Sequence, residues 1–186
     1  MPIWLPINRN RIMFLFLYRM NMTATTSTEK TSPAPTVVKA EELGRLVGRR
    51  VFRSEWTTFS QQEAAAFSHI SRDPDPMHVD PEWAGEHSPY GRTVLAGLNI
   101  LSLLPSLVRG GGFEIEGPSL IMNYGFDRVR FVDPVPVDAP FRNTVVVKSV
   151  ETRPDGKIKL ITTNTIEVRG ADRPAMIADW INLLWP

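Results

Sequence analysis

The sequence predicts an α+β fold in which an antiparallel β-sheet wraps around one central buried α-helix. Residues 93–108 are apolar on nearly every side, which is typical of a helix that is covered over most of its surface. The chain that follows reads as strand after strand, over residues 120–131, 141–152, 157–169 and 174–184. Because no helix is predicted between these strands, we expect them to form an antiparallel sheet against the helix.

The first 37 residues do not look like part of this domain. Arginines flank a short apolar run and no acidic residue precedes Glu29, which superficially suggests a targeting segment. A start site at Met20 or Met22 is the preferred explanation of this pattern. Residues 23–35 are rich in Thr, Ser and Pro, as in a disordered linker. We therefore predict a disordered or wrongly assigned extension, 1–37, followed by a single domain, 38–186.

A short helix and a strand are expected to open the domain. Leu43, Leu46 and Val47 share one helical face, and Gly48 is expected to stop that helix. The segment 50–59 then alternates as a strand does.

The next element is predicted to be a helix that begins at a capping box. Ser60 and Glu63 have the spacing at which each side chain satisfies the other residue's backbone N–H. The helix must end before Pro74, because the residue preceding a proline disfavours the helical conformation. The side chains expected to face the core are Ala64, Phe67 and Ile70.

The acid-rich stretch between residues 71 and 80 carries the strongest functional signal. It contains three aspartates and one of only three histidines in the chain. Asp73 and His78 are separated by Pro74 and Pro76, so a rigid turn rather than a helix is expected to present them. Asp80 precedes another proline and is read as the N-cap of a short helical turn.

The composition argues against several classes of partner. Lys and Arg total 21 against 20 Asp and Glu, a balance that favours neither nucleic acid nor an anionic membrane. No apolar run approaches the roughly 20 residues that span a bilayer. The absence of cysteine excludes disulfides and fits a cytoplasmic location. The sequence has no Gly-rich phosphate loop, so a nucleotide cofactor is not expected. The acidic stretch lacks the Gly and the terminal Glu of a calcium-binding loop, so a metal ion is not expected either.

Several motifs, in the expected order, resemble the MaoC-like dehydratases, which are (R)-specific enoyl thioester hydratases of the hotdog fold. The similarity extends from about Val38 to the C-terminus and is closest to the nodulation-protein-N-like single-domain subgroup. The motifs lie at Phe59 to Ala84, at Leu95-Ala-Gly97, and at Asn123 to Phe131 followed by Pro134-Val135. The resemblance implies a hotdog homodimer that acts on acyl chains carried by coenzyme A or an acyl carrier protein, in fatty acid or polyketide metabolism, without a cofactor.

The resemblance also implies a catalytic set. Asp73 and His78 match the aspartate and histidine of the family motif, with Asp73 activating water and His78 holding it and shuttling the proton. Such a pair suits hydration, because one water must lose a proton while the α carbon gains one. Gly97 matches the family glycine whose N–H polarises the thioester carbonyl. From the residues alone, a glycine that merely allows tight packing is the first interpretation of Gly97.

Three positions depart from the family pattern. Arg72 replaces a glycine, Asp75 replaces an asparagine, and Ala96 replaces a histidine. Asp75, Ala96 and Leu98 are assigned to substrate binding, so these changes are expected to alter the substrate range. Another hotdog reaction, such as thioester hydrolysis, isomerisation or a cyclase-type dehydration, stays open, as does a subunit that binds acyl thioesters without catalysis.

Overall fold

A five-stranded antiparallel sheet forms the main layer of the protein, which confirms the α+β class. The computed structural model describes residues 36–109 and 113–186. The strands in chain order are β1 (Thr36–Lys39), β2 (Arg50–Arg53), β3 (Phe113–Glu116), β4 (Leu120–Phe131), β5 (Phe141–Thr152), β6 (Ile158–Val168) and β7 (Met176–Trp185). The main sheet has the order β2-β5-β6-β7-β4, and β1 pairs in parallel with β3 in a separate ribbon.

The helices are short, and all of them precede the long strands β4–β7 in the sequence. They are a 3-10 helix (Ala40–Leu46), α1 (Gln61–Ser71), α2 (Pro76–Val79), α3 (Pro81–His87), α4 (Gly97–Ser102) and α5 (Leu104–Arg109). None of those within the described ranges has the length and apolar character needed to span a bilayer.

The long strands lie close to where the sequence places them. β4 and β5 have the predicted bounds, and β6 and β7 differ from prediction by one or two residues. The strand predicted over 50–59 is wrong beyond Arg53. Just after Arg53, the backbone N–H of Asn143 on β5 donates to the Ser54 hydroxyl (2.9 Å). This side-chain acceptor takes the place of a backbone carbonyl, so the regular pairing of β2 with β5 ends.

The single helix predicted over 93–108 is also wrong, because α4 and α5 are separate and residues 93–96 are extended. Pro105 accounts for the break: it has no N–H to donate, and its ring clashes with the carbonyl of Leu101 four residues earlier. Ile100 and Leu104 are buried against the sheet, as predicted for this segment. Leu98 is 64% exposed, so the helical segment is not covered on every side within the single chain.

The N-terminal part of the domain differs from expectation in three ways. The short helix is a 3-10 helix in which Leu43 is buried but Val47, 48% exposed, lies beyond its end. The β1–β3 ribbon was not predicted, and β1 starts at Thr36, inside the predicted extension. The rest of the predicted extension, 1–35, lies outside the described residues.

Helix α1 begins with the predicted capping box. The Glu63 N–H donates to Ser60 Oγ, and the Ser60 N–H donates to Glu63 Oε2 (2.8 Å). Ala64 is buried as predicted, and Ser68, one turn later, is buried beside it. Ile70 was expected to face the core but is 84% exposed, because it lies two residues beyond this i, i+4 row and so on another face.

A buried carboxylate on β7 couples the sheet's stability to pH. Burial acts to raise the pKa of Asp179, but hydrogen bonds from Lys148 and Thr163 (both 2.7 Å), together with nearby positive charge, outweigh it and hold the pKa below its usual value. A depressed folded-state pKa contributes stability above the unfolded pKa, and this contribution is lost as pH falls through the folded pKa.

We expect Lys148→Met to lower the free energy of unfolding near neutral pH, because it leaves the Asp179 carboxylate without its ammonium partner. The difference from the wild type should shrink as pH falls below the usual aspartate value of 3.8 and through the lower folded-state pKa of Asp179, where the wild-type carboxylate is protonated too. Denaturant unfolding from pH 7 to pH 3 measures this, with Lys159→Met as the matched control. If the free energies of unfolding of the wild type and Lys148→Met differ by the same amount at every pH in that range, the role of the Lys148–Asp179 pair in the pH dependence is wrong.

Candidate active site

His78 lies on α2, a single helical turn of four residues. Asp75 is the N-cap of this turn and its carboxylate accepts from the Met77 N–H (2.8 Å), while Pro76 occupies the first helical position. The sequence predicted a non-helical turn at His78, and this is wrong because the residue lies in one turn of α-helix. The predicted restriction of the backbone by proline is present, at the first residue of α2.

The imidazole of His78 is half-buried and its orientation is set by one contact. Nδ1 lies 2.8 Å from the carbonyl oxygen of Val94. A carbonyl can only accept, so Nδ1 carries the hydrogen and the neutral ring has its free lone pair on Nε2. The ring nitrogen that can exchange a proton with a ligand is therefore Nε2.

His78 and Gly97 meet at one cavity of about 210 Å³. The two residues come from different elements, α2 and the start of α4, and tertiary structure brings them to the same space. The other residues around this cavity are Met77, Tyr90, Val94, Leu95, Ile100, Phe131, Val132, Asp133, Pro134, Val135 and Ala175. The walls are therefore mainly apolar, with an imidazole, a phenol and a carboxylate as the ionisable groups.

Gly97 is the first residue of α4, so its N–H has no acceptor within the helix. Ala96 is the N-cap and supplies no side-chain hydrogen bond. A Cβ at position 97 would lie 2.9 Å from three ring atoms of Phe131. The close packing considered from the sequence is thus present, and among the described residues the N–H of Gly97 meets no hydrogen-bond acceptor.

Asp73 lies outside the lining of this cavity and is exposed. Its N–H donates to the carbonyl of Ser68 (2.9 Å) and so closes the C-terminus of α1. The preceding Arg72 has φ 61°, in the left-handed region, at a cost of roughly 1–2 kcal/mol for a residue other than glycine. The glycine that the family pattern has at this position would remove that strain.

Two of the remaining predicted residues, Asp75 and Asp80, are helix N-caps. Asp80 is the N-cap of α3, as predicted, and accepts from the N–H groups of Glu82 and Trp83 (3.0 Å each). Asp75, Ala96 and Leu98 do not line the cavity that contains His78. Across residues 36–109 and 113–186, no three His, Asp or Glu side chains are grouped so as to hold a metal ion.

A second, larger cavity of about 530 Å³ lies at the other end of the α4–α5 segment. Pro105 and Val108 of α5 face the sheet there, and the space shares no lining residue with the His78 cavity. Its walls combine apolar side chains with the amides of Asn123 and Asn182 and the hydroxyl of Thr162.

The sequence missed Gln61, which contacts the His78 turn, and Thr93, which contacts Gln61. The Gln61 amide donates to the backbone carbonyl of His78 (2.8 Å) and accepts from the Thr93 hydroxyl (2.6 Å). Gln61 lies within the Ser60–Glu63 capping box, and from the sequence it was interpreted only as a residue of the helix. Tyr90 and Phe131 were not expected at the site either, although Phe131 falls within a strand motif noted for its family resemblance.

Comparisons with known proteins agree on one family. Residues 42–169 match the family model described as the MaoC like domain. The chain is 35% identical over 146 residues to the 3-hydroxyacyl-thioester dehydratase Z of Mycobacterium tuberculosis, covering 78% of this chain and 95% of that protein. It is likewise 35% identical over 140 residues to Nodulation protein N of Rhizobium leguminosarum bv. viciae, covering 74% of this chain and 86% of that protein.

The fold is also that of a solved (R)-hydratase from A. caviae involved in PHA biosynthesis. The TM-score is 0.59 at 23% sequence identity, over 75% of this chain and 96% of that chain. This likeness confirms the hotdog fold expected from the sequence.

Proposed function

The chain belongs to the MaoC-like domain family, and from this premise we propose that it is a hydro-lyase acting on acyl thioesters. The reaction is the reversible addition of water to a 2-enoyl thioester, or its elimination from a 3-hydroxyacyl thioester. One observation carries the proposal: His78 lines the same cavity as Gly97, whose N–H has no acceptor within α4. A base and an oxyanion donor are the two groups that this chemistry needs on opposite parts of the substrate.

In the hydration direction a water loses one proton, its oxygen bonds to the β carbon, and the α carbon gains a proton. His78 holds this water at Nε2 and moves the proton, because Nδ1 is engaged by Val94. The N–H of Gly97 donates to the thioester oxygen as it gains enolate character. Asp73 is proposed to activate the water, because it matches the aspartate of the family motif. The same resemblance implies that water adds in a syn, (R)-specific manner.

The substrate carrier in this proposal is coenzyme A or an acyl carrier protein, and no further cofactor is required. The relatives support the thioester class, since the mycobacterial protein is a 3-hydroxyacyl-thioester dehydratase. Asp75, Ala96 and Leu98 lie outside the lining of the His78 cavity and are proposed to contact other parts of the substrate. A cytoplasmic location completes the proposal, as fits a chain without cysteine.

Purified protein mixed with crotonyl-CoA and longer 2-enoyl-CoAs tests the reaction. We expect the absorbance of the conjugated enoyl thioester to fall and 3-hydroxyacyl-CoA to appear by mass spectrometry. Release of free thiol instead would indicate hydrolysis. Binding of the acyl thioester without turnover, with CoA and carrier-protein substrates alike, would contradict the proposal and favour a non-catalytic subunit.

We also propose that the protein is a homodimer joined through β4. Strand β4 is an edge of the main sheet and pairs only with β7 among the described strands. The exposed side chains in its first seven residues are mostly apolar, namely Leu120, Ile121, Met122, Tyr124 and Phe126, whereas Asp127, Arg128 and Arg130 are exposed in the rest of the strand. A long apolar edge is a template for pairing with another strand, and a second copy of the same edge satisfies it by two-fold symmetry.

We expect Tyr124→Lys to convert the dimer to a monomer, because a lysine on the edge must be desolvated when two β4 strands pair. Tyr124 is 58% exposed in the single chain, so the substitution should leave the monomer folded. Light scattering after size exclusion measures the mass, and Val47→Lys, at a similarly exposed apolar position just after the 3-10 helix, is the control. A monomeric wild type, or a dimeric Tyr124→Lys protein, would contradict the assigned interface.

A further inference from the structure

The single turn that carries His78 is too short to hold itself in place. Helix α2 has four residues and none of them is buried, so packing contributes little to its position. An isolated turn of this length is disfavoured, because nucleating a helix fixes several residues for one hydrogen bond. Its position must come from contacts to neighbouring segments.

Two of these contacts join α2 to the extended segment 93–96. The Val94 N–H donates to the carbonyl of Met77 (3.2 Å), and the Val94 carbonyl accepts from Nδ1 of His78 (2.8 Å). Val94 therefore fixes both the backbone beside His78 and the tautomer of its ring. The ring remains correctly placed only while segment 93–96 and α2 keep their separation.

The Gln61 side chain spans these two segments. Its amide nitrogen donates to the His78 carbonyl (2.8 Å), and its amide oxygen accepts from the hydroxyl of Thr93 (2.6 Å). Because a carbonyl cannot donate, the amide nitrogen must be the atom facing His78, and the bridge has only one orientation. Gln61 is the first residue of α1, which the Ser60–Glu63 capping box secures.

We propose that Gln61 and Thr93 are positioning residues that hold the His78 imidazole in its productive place and tautomer. This inference rests on the proposed function for its catalytic consequence, but not for its structural one. Thr93 is 6% exposed, so its hydroxyl has little access to water as a substitute partner. Loss of the bridge lets α2 move relative to Val94, and a small misplacement of a catalytic group is enough to slow the reaction.

Gln61→Glu is the sharpest single test, because it keeps the shape and the acceptor for Thr93 but cannot donate to the His78 carbonyl. We expect kcat for enoyl-CoA hydration to fall roughly ten- to a hundredfold with KM unchanged. The matched control is Gln62→Glu, which makes the same change at the next, exposed residue of α1 and should leave kcat unaltered. Equal kcat values for the two variants would overturn the proposal.

Two substitutions at Thr93, one that removes the hydroxyl and one that keeps it, provide a second test. Thr93→Val removes the hydroxyl at constant shape and should lower kcat, whereas Thr93→Ser retains it and should restore the wild-type value. Thermal unfolding separates this from a general loss of structure, since a protein that is merely destabilised keeps its kcat below its melting range. A Ser variant as impaired as the Val variant would contradict the hydroxyl's role.

Nitrogen NMR of the His78 ring tests the inference without any assay of activity. The wild type and Gln62→Glu should show the Nδ1–H tautomer, and Gln61→Glu should show a mixture of tautomers. If the wild type has the tautomer but no hydratase activity, the proposed function fails while the positioning stands. If Gln61→Glu has the wild-type spectrum, the positioning fails whatever the reaction is.

Discussion

His78→Ala is expected to lower kcat for enoyl-CoA hydration by about a hundred- to ten-thousandfold, the usual loss when a general acid or base is removed. The reason is geometric, because His78 lines the cavity and its Nδ1 is held by Val94, which leaves Nε2 to exchange a proton. Steady-state kinetics with crotonyl-CoA measures the effect. KM should change little, since a truncated imidazole removes proton transfer rather than the contacts that bind the acyl carrier.

The matched control is His69→Ala, at an exposed histidine on α1, which should leave kcat unchanged. Asp73→Asn is a companion variant and should also abolish hydration if the family-based role of Asp73 is correct. Wild-type turnover in both His78→Ala and Asp73→Asn would end the assigned roles. Loss of activity in His78→Ala alone would retain the histidine and reject Asp73, which lies outside the cavity lining.

Gly97→Ala is expected to destabilise the protein by about 1–3 kcal/mol and to lower kcat/KM, because the added methyl overpacks a filled space. Its Cβ would lie 2.9 Å from three ring atoms of Phe131, including the ring atom nearest the backbone. The ring must therefore shift, and it lines the cavity into which the thioester is proposed to bind. Denaturant unfolding and steady-state kinetics measure the two effects.

Gly85→Ala is the matched control, since Gly85 lies within helix α3 and a Cβ there meets nothing within 4 Å. Alanine at that position should raise the free energy of unfolding by up to about 1 kcal/mol. In the double variant Gly97→Ala/Phe131→Ala the overpacking disappears, so position 97 should no longer be sensitive to the added methyl. An unchanged free energy of unfolding in Gly97→Ala would refute the close contact.

Local patterns predicted much of the fold, because the forces they report act over a few residues. The capping box at Ser60 and Glu63 is a contact between residues three apart, and it forms as predicted. The alternating pattern of residues 120–131 predicted the bounds of β4 correctly. The break between α4 and α5 was also encoded locally, by Pro105, but the apolar run around it hid that signal.

Long-range pairing was beyond sequence reasoning. Strand β1 lies beside β3 although their residues are far apart in the chain, and nothing in either tetrapeptide marks the other as its partner. The exposure of Ile70 has the same origin. Which face of an amphipathic helix is buried depends on the neighbour it meets, and a short helix with few apolar residues leaves that choice open.

For this protein, the sequence alone determined the class of fold, the main strands and the helix caps at Ser60 and Asp80, and its family resemblance predicted His78 and Gly97 as site residues. Only the tertiary structure decided that these two share a cavity, that Phe131 packs over Gly97, and that Gln61 holds the His78 turn. The physical reason is distance along the chain. Caps and strand periodicity arise from neighbouring residues, whereas the site is assembled from segments whose approach depends on how the whole sheet and its helices pack.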